Sequence, residues 1–162
     1  MSTKLLGSPR VHLRATGSTN DLARAFAIGG APHGTLVTAS EQSAGRGRHG
    51  RRWSAPAGTA LLMSVLIRDP PKLLPLSAAL AVSDVAGSES LIKWPNDVVA
   101  PIPQEPGLGK LAGILAEGRP GEGWVVLGIG LNVAVELSAL PPELRAGSPG
   151  LQGLPAATMG LE

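Results

Sequence analysis

The chain has no cysteine, no tyrosine and one phenylalanine in 162 residues, and Trp53, Trp94 and Trp124 complete its aromatics. Without cysteine there is no disulfide framework, no thiol nucleophile and no thiolate metal site, and the default compartment is the cytosol. With so few rings, the core must be built from Ala, Val, Leu and Ile. No apolar run approaches the ~18 residues that a membrane span needs. The stretch "MSTKLLGSPRVHLRATG" has no apolar segment ahead of a small-residue cleavage site, so nothing suggests export. A formal charge of +2 is too small to make the whole surface a polyanion binder. Any basic function must be local. The expectation is a soluble, cytoplasmic, single-domain protein, since a chain of this length buries roughly 70% of its unfolded surface.

What is present in quantity is glycine, 22 residues, and proline, 15. They punctuate apolar segments of two kinds. "STNDLARAFAIGG" (18–30) opens on capping residues, spaces Leu22, Ala23, Phe26 and Ala27 as one helical face, and stops at two glycines. "LLPLSAALAVSDVAG" (73–87) is a second helix behind an early proline. "TLVTAS" (35–40) and "ALLMSVLIR" (60–68) read as buried strands bounded by turn formers, and "LIKW" (91–94) as a short strand cut off by Pro95. "VVAPIPQEPGLG" reads as a loop. "KLAGILAE" (110–117) and "GWVVLGIGLNV" (123–133) read as an antiparallel hairpin turning at "GRPGEG". The remainder, dense in Pro and Gly, holds at most one helical turn near "PPELR".

Between the second and third of these segments lies "GRGRHGRRW" (45–53), with four arginines, a histidine and three glycines. Gly45, Gly47 and Gly50 match a dinucleotide-binding string. That string requires a strand leading directly into it and a helix following, and neither is here. A disordered RNA-binding segment would be longer or repeated and richer in stacking aromatics. A solvated basic loop without function is the plain reading, because unpaired arginines are mostly surface. The reading that uses every residue type is a mobile anion clamp. Guanidinium groups grip phosphate or carboxylate oxygens in pairs, and glycines let backbone N–H groups approach the same ligand.

Five stretches, "STN" (18–20), "EQSAGRGRHGRRW" (41–53), "KWPNDV" (93–98), "KLAGILAE" and "GIGLNV" (128–133), occur in the order and approximate spacing of biotin protein ligases. The chain resembles that family over residues 18–133. The resemblance implies an α/β fold with a mixed, largely antiparallel sheet and helices on one side, akin to class II aminoacyl-tRNA synthetases and lipoate ligases. It implies a two-step reaction. Biotin and Mg-ATP give biotinyl-5′-AMP and pyrophosphate, then a lysine of a biotin carboxyl carrier protein, as in acetyl-CoA carboxylase, attacks the mixed anhydride. A carboxylate attacking a phosphorus among negative oxygens needs cations more than it needs a protein nucleophile.

Residue by residue, Lys93 resembles the lysine where biotin carboxylate and α-phosphate join, on the premise that a lysine ending an apolar strand is costly unless an anion meets it. Arg46 and Arg48 resemble the clamp arginines over the adenylate, with Arg48 and Lys93 catalytic. Ser18, Thr19, Asn20, Gln42, Gly45, Arg46 and Gly113 complete the implied biotin site. Ser18 or Thr19 could instead only cap the helix. Trp53, Asn96, Lys110 and Asn132 fall on the nucleotide side, with Asp97 as the candidate for Mg2+. Residues 1–135 are expected to form the catalytic core and 136–162 a tail of the same domain. The family's usual C-terminal β-barrel is absent and no DNA-binding region precedes the core, so a ligase without repressor activity or nucleic-acid partner is expected. A truncated relative that binds biotin or its adenylate with little transfer, and a lipoate-ligase-like enzyme, are the alternatives.

Overall fold

The computed structural model describes residues 5–102, 107–119 and 121–136, together with 138, 140 and 142. Seven strands form one sheet: β1 (Arg10–Leu13), β2 (Leu36–Ala39), β3 (Ala60–Arg68), β4 (Leu91–Lys93), β5 (Asp97–Pro101), β6 (Leu108–Glu117) and β7 (Trp124–Asn132). Their order across the sheet is β1-β2-β3-β7-β6-β5-β4. Only β1 and β2 run parallel, joined by helix α1 (Thr19–Ile28); the other neighbours are antiparallel. Helix α2 (Leu74–Ala86) joins β3 to β4. The mixed, largely antiparallel sheet expected from the sequence is therefore present, as are both helices and the β6–β7 hairpin.

Three details differ from expectation: strand β5, strand β1 and the side of the sheet that each helix covers. Part of the proline-rich stretch expected as a loop is strand β5, because the β-branched Val98 and Val99 are buried there and the prolines fall at the strand's end or beyond. The short strand β1 lies in a stretch without a strand signal. The helical turn near "PPELR" falls almost wholly outside the described residues.

The helices do not share one side of the sheet. Val65 and Ile67 of β3 pack with Ala78, Ala79 and Val82 of α2, whereas Leu66 packs with Ala23 and Ala27 of α1. Successive strand residues point to opposite faces, so α1 and α2 cover opposite faces. The layer under α2 is aliphatic, and the layer under α1 adds Trp124 and Phe26 to its aliphatic residues. Fully buried Leu66, Leu111, Ile114, Val37, Val98 and Val126 each contribute ~1.5–3 kcal/mol relative to exposure. On its face α1 packs mainly against β2, β3 and β7. The β5–β6 end of that face is left to other segments.

Candidate active site

One row of the sheet organises the site. Register places Leu13, Ala39, Leu62, Gly130, Gly113, Asp97 and Lys93 side by side across all seven strands. A β-carbon on Gly130 would stand 2.5 Å from Trp53 Cε2, and one on Gly113 would stand 3.0 Å from Trp53 Cζ3. The two glycines thus form a flat seat on which the Trp53 indole lies. Lys110 crosses the ring at 5.7 Å from its centroid, inside cation–π range. Its Nζ lies 2.8 Å from Asp97 Oδ1, an ion contact that lacks hydrogen-bond direction. Asn132 Nδ2 donates to the Lys110 carbonyl at 3.3 Å. Trp53 Nε1 is buried with no hydrogen-bond partner among the described residues. A buried indole N–H normally has a partner, so this edge of the seat suits a ligand acceptor.

A β-bulge makes this cluster possible. Val98 pairs with Ala112 and Val99 with Lys110, which leaves Leu111 over. Leu111 and Ala112 both enter the α2-side core, so Lys110 and Gly113, three residues apart, share the opposite face. Bulges re-aim side chains in this way beside active sites.

The second cluster surrounds the start of α1. Ser18, Thr19 and Asn20 are all at most 5% exposed. Ser18 occupies the N-cap but makes no side-chain cap bond. Gln42 does that work: its Oε1 accepts the Thr19 backbone N–H at 2.7 Å and the Thr19 hydroxyl at 2.9 Å. Two donors on one oxygen fix the amide's orientation and leave Nε2 uncommitted among the described residues. Gln42 is held there because Ser43 and Ala44 donate their N–H groups to the carbonyls of Thr16 and Gly17. Gly45 is pressed against Gln42 Nε2 and the Trp53 carbonyl, where no β-carbon would fit.

The arginine segment forms a hydrogen-bonded turn. Trp53 N–H donates to Gly45 O and Gly47 N–H to Arg51 O, forming a small hairpin whose tip is the 3₁₀ turn Arg48–Gly50. His49 there has φ 56°, a left-handed conformation that costs a non-glycine residue ~1–2 kcal/mol. Arg46 donates to Asp21 Oδ1 at 2.9 Å and to Glu117 Oε1 at 2.7 Å. Arg48 donates to Asn96 Oδ1 at 2.8 Å, and Asn96 Nδ2 donates to the Ile114 carbonyl. Arg51 and Arg52 reach only backbone carbonyls. Arg46, Arg48, Trp94, Asn96 and Glu117 help to line a cleft of about 490 Å³ that runs to Lys72 and Leu76 beside α2. Trp53, Lys110 and Gln42 are not among its walls.

Lys93 stands apart. The premise of a buried lysine fails, because β4 is the outermost strand and Lys93 is exposed. It faces Asp97 across the ladder, but Asp97 carries Lys110. Sequence reasoning missed Gly128, Gly130, Ser64 and Glu117. Ser64, a polar residue inside "LLMSVLI" and 0% exposed, was the available signal, since buried polar groups require partners. Glu117 was also legible, by the period of two that places it on the face of Gly113.

The residues that match the family model of biotin/lipoate A/B protein ligases are 13–133. The chain belongs to the biotin/lipoate A/B protein ligase family. It is 44% identical over 142 residues to the biotin--[acetyl-CoA-carboxylase] ligase of Mycobacterium tuberculosis, covering 79% of this chain and 50% of that one. It is 35% identical over 157 residues to the bifunctional ligase/repressor BirA of Bacillus subtilis, covering 90% and 46%. Among solved structures, the biotin protein ligase from Aquifex aeolicus in complex with biotin and ATP superimposes with a TM-score of 0.67 at 26% identity, over 94% of this chain and 60% of that one. The Leishmania major enzyme in complex with biotinyl-5-AMP gives 0.62 at 27%, over 79% and 58%. The chain spans about half the length of these curated relatives. For this family member, no helix among the described residues is long and apolar enough to cross a membrane.

Proposed function

We propose that the chain is the catalytic part of a biotin protein ligase. The biotin carboxylate attacks the α-phosphorus of ATP, pyrophosphate leaves, the amine of a carrier-protein lysine attacks the acyl carbon of biotinyl-5′-AMP, and AMP leaves. The observation that carries this reading is the seat of Gly113 and Gly130 under Trp53, with Lys110 above it. Family membership and the biotin ligase names of the similar proteins support it.

Gln42 Nε2 is the free donor for the ureido carbonyl of biotin, because Gln42 Oε1 is committed to Thr19. Trp53 offers its unpartnered indole N–H to a ligand acceptor. Lys110, rather than the exposed Lys93, is the ammonium placed to oppose charge between carboxylate and phosphate, where a preorganised cation stabilises the transition state most. Arg46 and Arg48 exchange protein acceptors for adenylate oxygens, and Asn96 and Asn132 stand on the nucleotide side. Among the described residues no three His, Asp or Glu side chains cluster to hold a metal, and Asp97 is taken by Lys110. A resident metal site does not fit these residues; Mg2+ arrives on the nucleotide's phosphates, as it commonly does. The partner is the carrier domain of a biotin-dependent carboxylase, and the compartment is the cytoplasm.

Biotin-dependent exchange of labelled pyrophosphate into ATP, run with and without carrier protein, tests the proposal. Exchange followed by transfer is the expected result. Exchange without transfer favours the second reading, a relative that binds biotin or biotinyl-AMP with little transfer. Exchange driven by lipoate but not biotin would refute the substrate.

A further inference from the structure

Arg46 and Gln42 belong to different clusters, yet a row of close side-chain contacts runs between them. Arg46 Nη2 donates to Glu117 Oε1 at 2.7 Å, and Asn20 Nδ2 donates to Glu117 Oε2 at 2.8 Å. Ser64 Oγ stands 2.5 Å from Asn20 Oδ1 and 2.8 Å from Thr19 Oγ1, and Thr19 donates to Gln42. Thr19, Asn20 and Ser64 are at least 95% buried, so water does not substitute for the links among these three, whereas the Arg46–Glu117 pair is partly exposed. The amide of Asn20 lies flat over Gly128, where a β-carbon would overlap Asn20 Oδ1.

The chain has a direction. Three oxygen–oxygen contacts are served by two hydroxyl hydrogens, those of Ser64 and Thr19, so one contact is unfilled at any moment. The Glu117 carboxylate selects which. It can only accept, so it holds Asn20 with Nδ2 toward itself and Oδ1 toward Ser64. Ser64 then gives its one hydrogen to Asn20, and the Thr19 hydroxyl is left to donate to Gln42. Without the carboxylate, Asn20 is free to turn and the Ser64 hydrogen is free to pass to Thr19.

We propose that Glu117 and Ser64 are positioning residues that couple the arginine hairpin to the residues holding the biotin ring, through the chain Arg46–Glu117–Asn20–Ser64–Thr19–Gln42. Neither touches substrate. A ligand that reorders Thr19 and Gln42 changes how firmly Glu117 holds Arg46, and so biases the hairpin before the nucleotide arrives. The proposal rests on the biotin-ligase reading of this site.

Biotin uptake is measured by calorimetry, and trypsin cleavage within residues 46–52 by mass spectrometry, both without nucleotide. At saturating biotin, wild type should show cleavage slowed by ~5-fold or more, the lower end of ordinary coupling between sites. Glu117→Gln, part-exposed and isosteric, and Ser64→Ala, which cuts the chain away from the arginine, should bind biotin and lose that protection. Equal protection in all three proteins would mean that biotin shields the hairpin by direct contact, and the proposal is overturned. A merely structural role would alter cleavage equally with and without biotin, which also overturns it. A wild type that takes up no biotin overturns the functional reading and this coupling together.

Discussion

Replacing Gly130 by alanine tests the centre of the site. The added methyl would stand 2.5, 2.8 and 2.9 Å from Cε2, Cδ2 and Cζ2 of Trp53, against the ~3.5–4.0 Å that carbon atoms prefer. Strand β7 is held on both sides by β3 and β6, so the indole must move by about 1 Å and carry the Lys110 ammonium with it. Overpacking of this size costs ~1–3 kcal/mol, or a fall in Tm of about 2–12 °C for a chain of this length. Displacing a catalytic group by ~1 Å can cost about 100-fold in rate. Gly113→Ala meets Trp53 Cζ3 at 3.0 Å and the flexible end of Lys110 at 3.1 and 3.2 Å, so its effect should be clearly smaller. Thermal unfolding and biotin-dependent pyrophosphate exchange measure the two variants. Trp53→Leu combined with Gly130→Ala should recover most of the stability lost to the methyl, because the two sites are in contact and not additive. Wild-type Tm and exchange in Gly130→Ala would refute the seat, and with it the placement of Lys110.

Lys110→Ala should reduce adenylate formation by ~100-fold or more, whereas Lys93→Ala, exposed on the outer strand, should lose far less; the opposite ranking in pyrophosphate exchange would restore Lys93 to the reacting centre. Arg48→Gly removes the link to Asn96 and with it the guanidinium proposed to grip the adenylate. The variant should still form biotinyl-5′-AMP but release it, read as increased biotin labelling of an unrelated lysine-rich protein, and retained formation without stray labelling would show that Arg48 does not hold the intermediate. Gln42→Ala removes both the cap of α1 and the free donor, and should cost ~0.5–2 kcal/mol of stability and weaken biotin binding ~5–150-fold, taking the loss of one hydrogen bond to be ~1–3 kcal/mol; unchanged calorimetric affinity would remove Gln42 from the site.

The residue types on the page carried much of this. The absence of cysteine removes covalent thiol chemistry whatever the fold. Period-three spacing ended by glycines gives α1, and runs of Val, Leu and Ile between turn formers give β3 and β7, because local propensity and burial agree there. Five short motifs in order suffice to name the family. Strand β1 and β5 were not legible: four edge residues carry too little pattern, and two valines among prolines signal a strand only once neighbouring strands bury them.

Which residues meet was decided by the tertiary structure. Sequence composition makes Lys93 and Lys110 equivalent, both beside strand residues. The outer position of β4 exposes the first, and the bulge at Leu111 turns the second onto the face of Gly113. The same alternation of strand faces sets α1 opposite α2 and leaves the β5–β6 end of one face to Trp53 and the arginine hairpin. Ser64 and Glu117 gain their meaning from Asn20, which lies 44 and 97 residues away from them. Register across seven strands is a long-range property. It depends on which edges pair and where one residue is left over, and no local stretch of this chain encodes that alone.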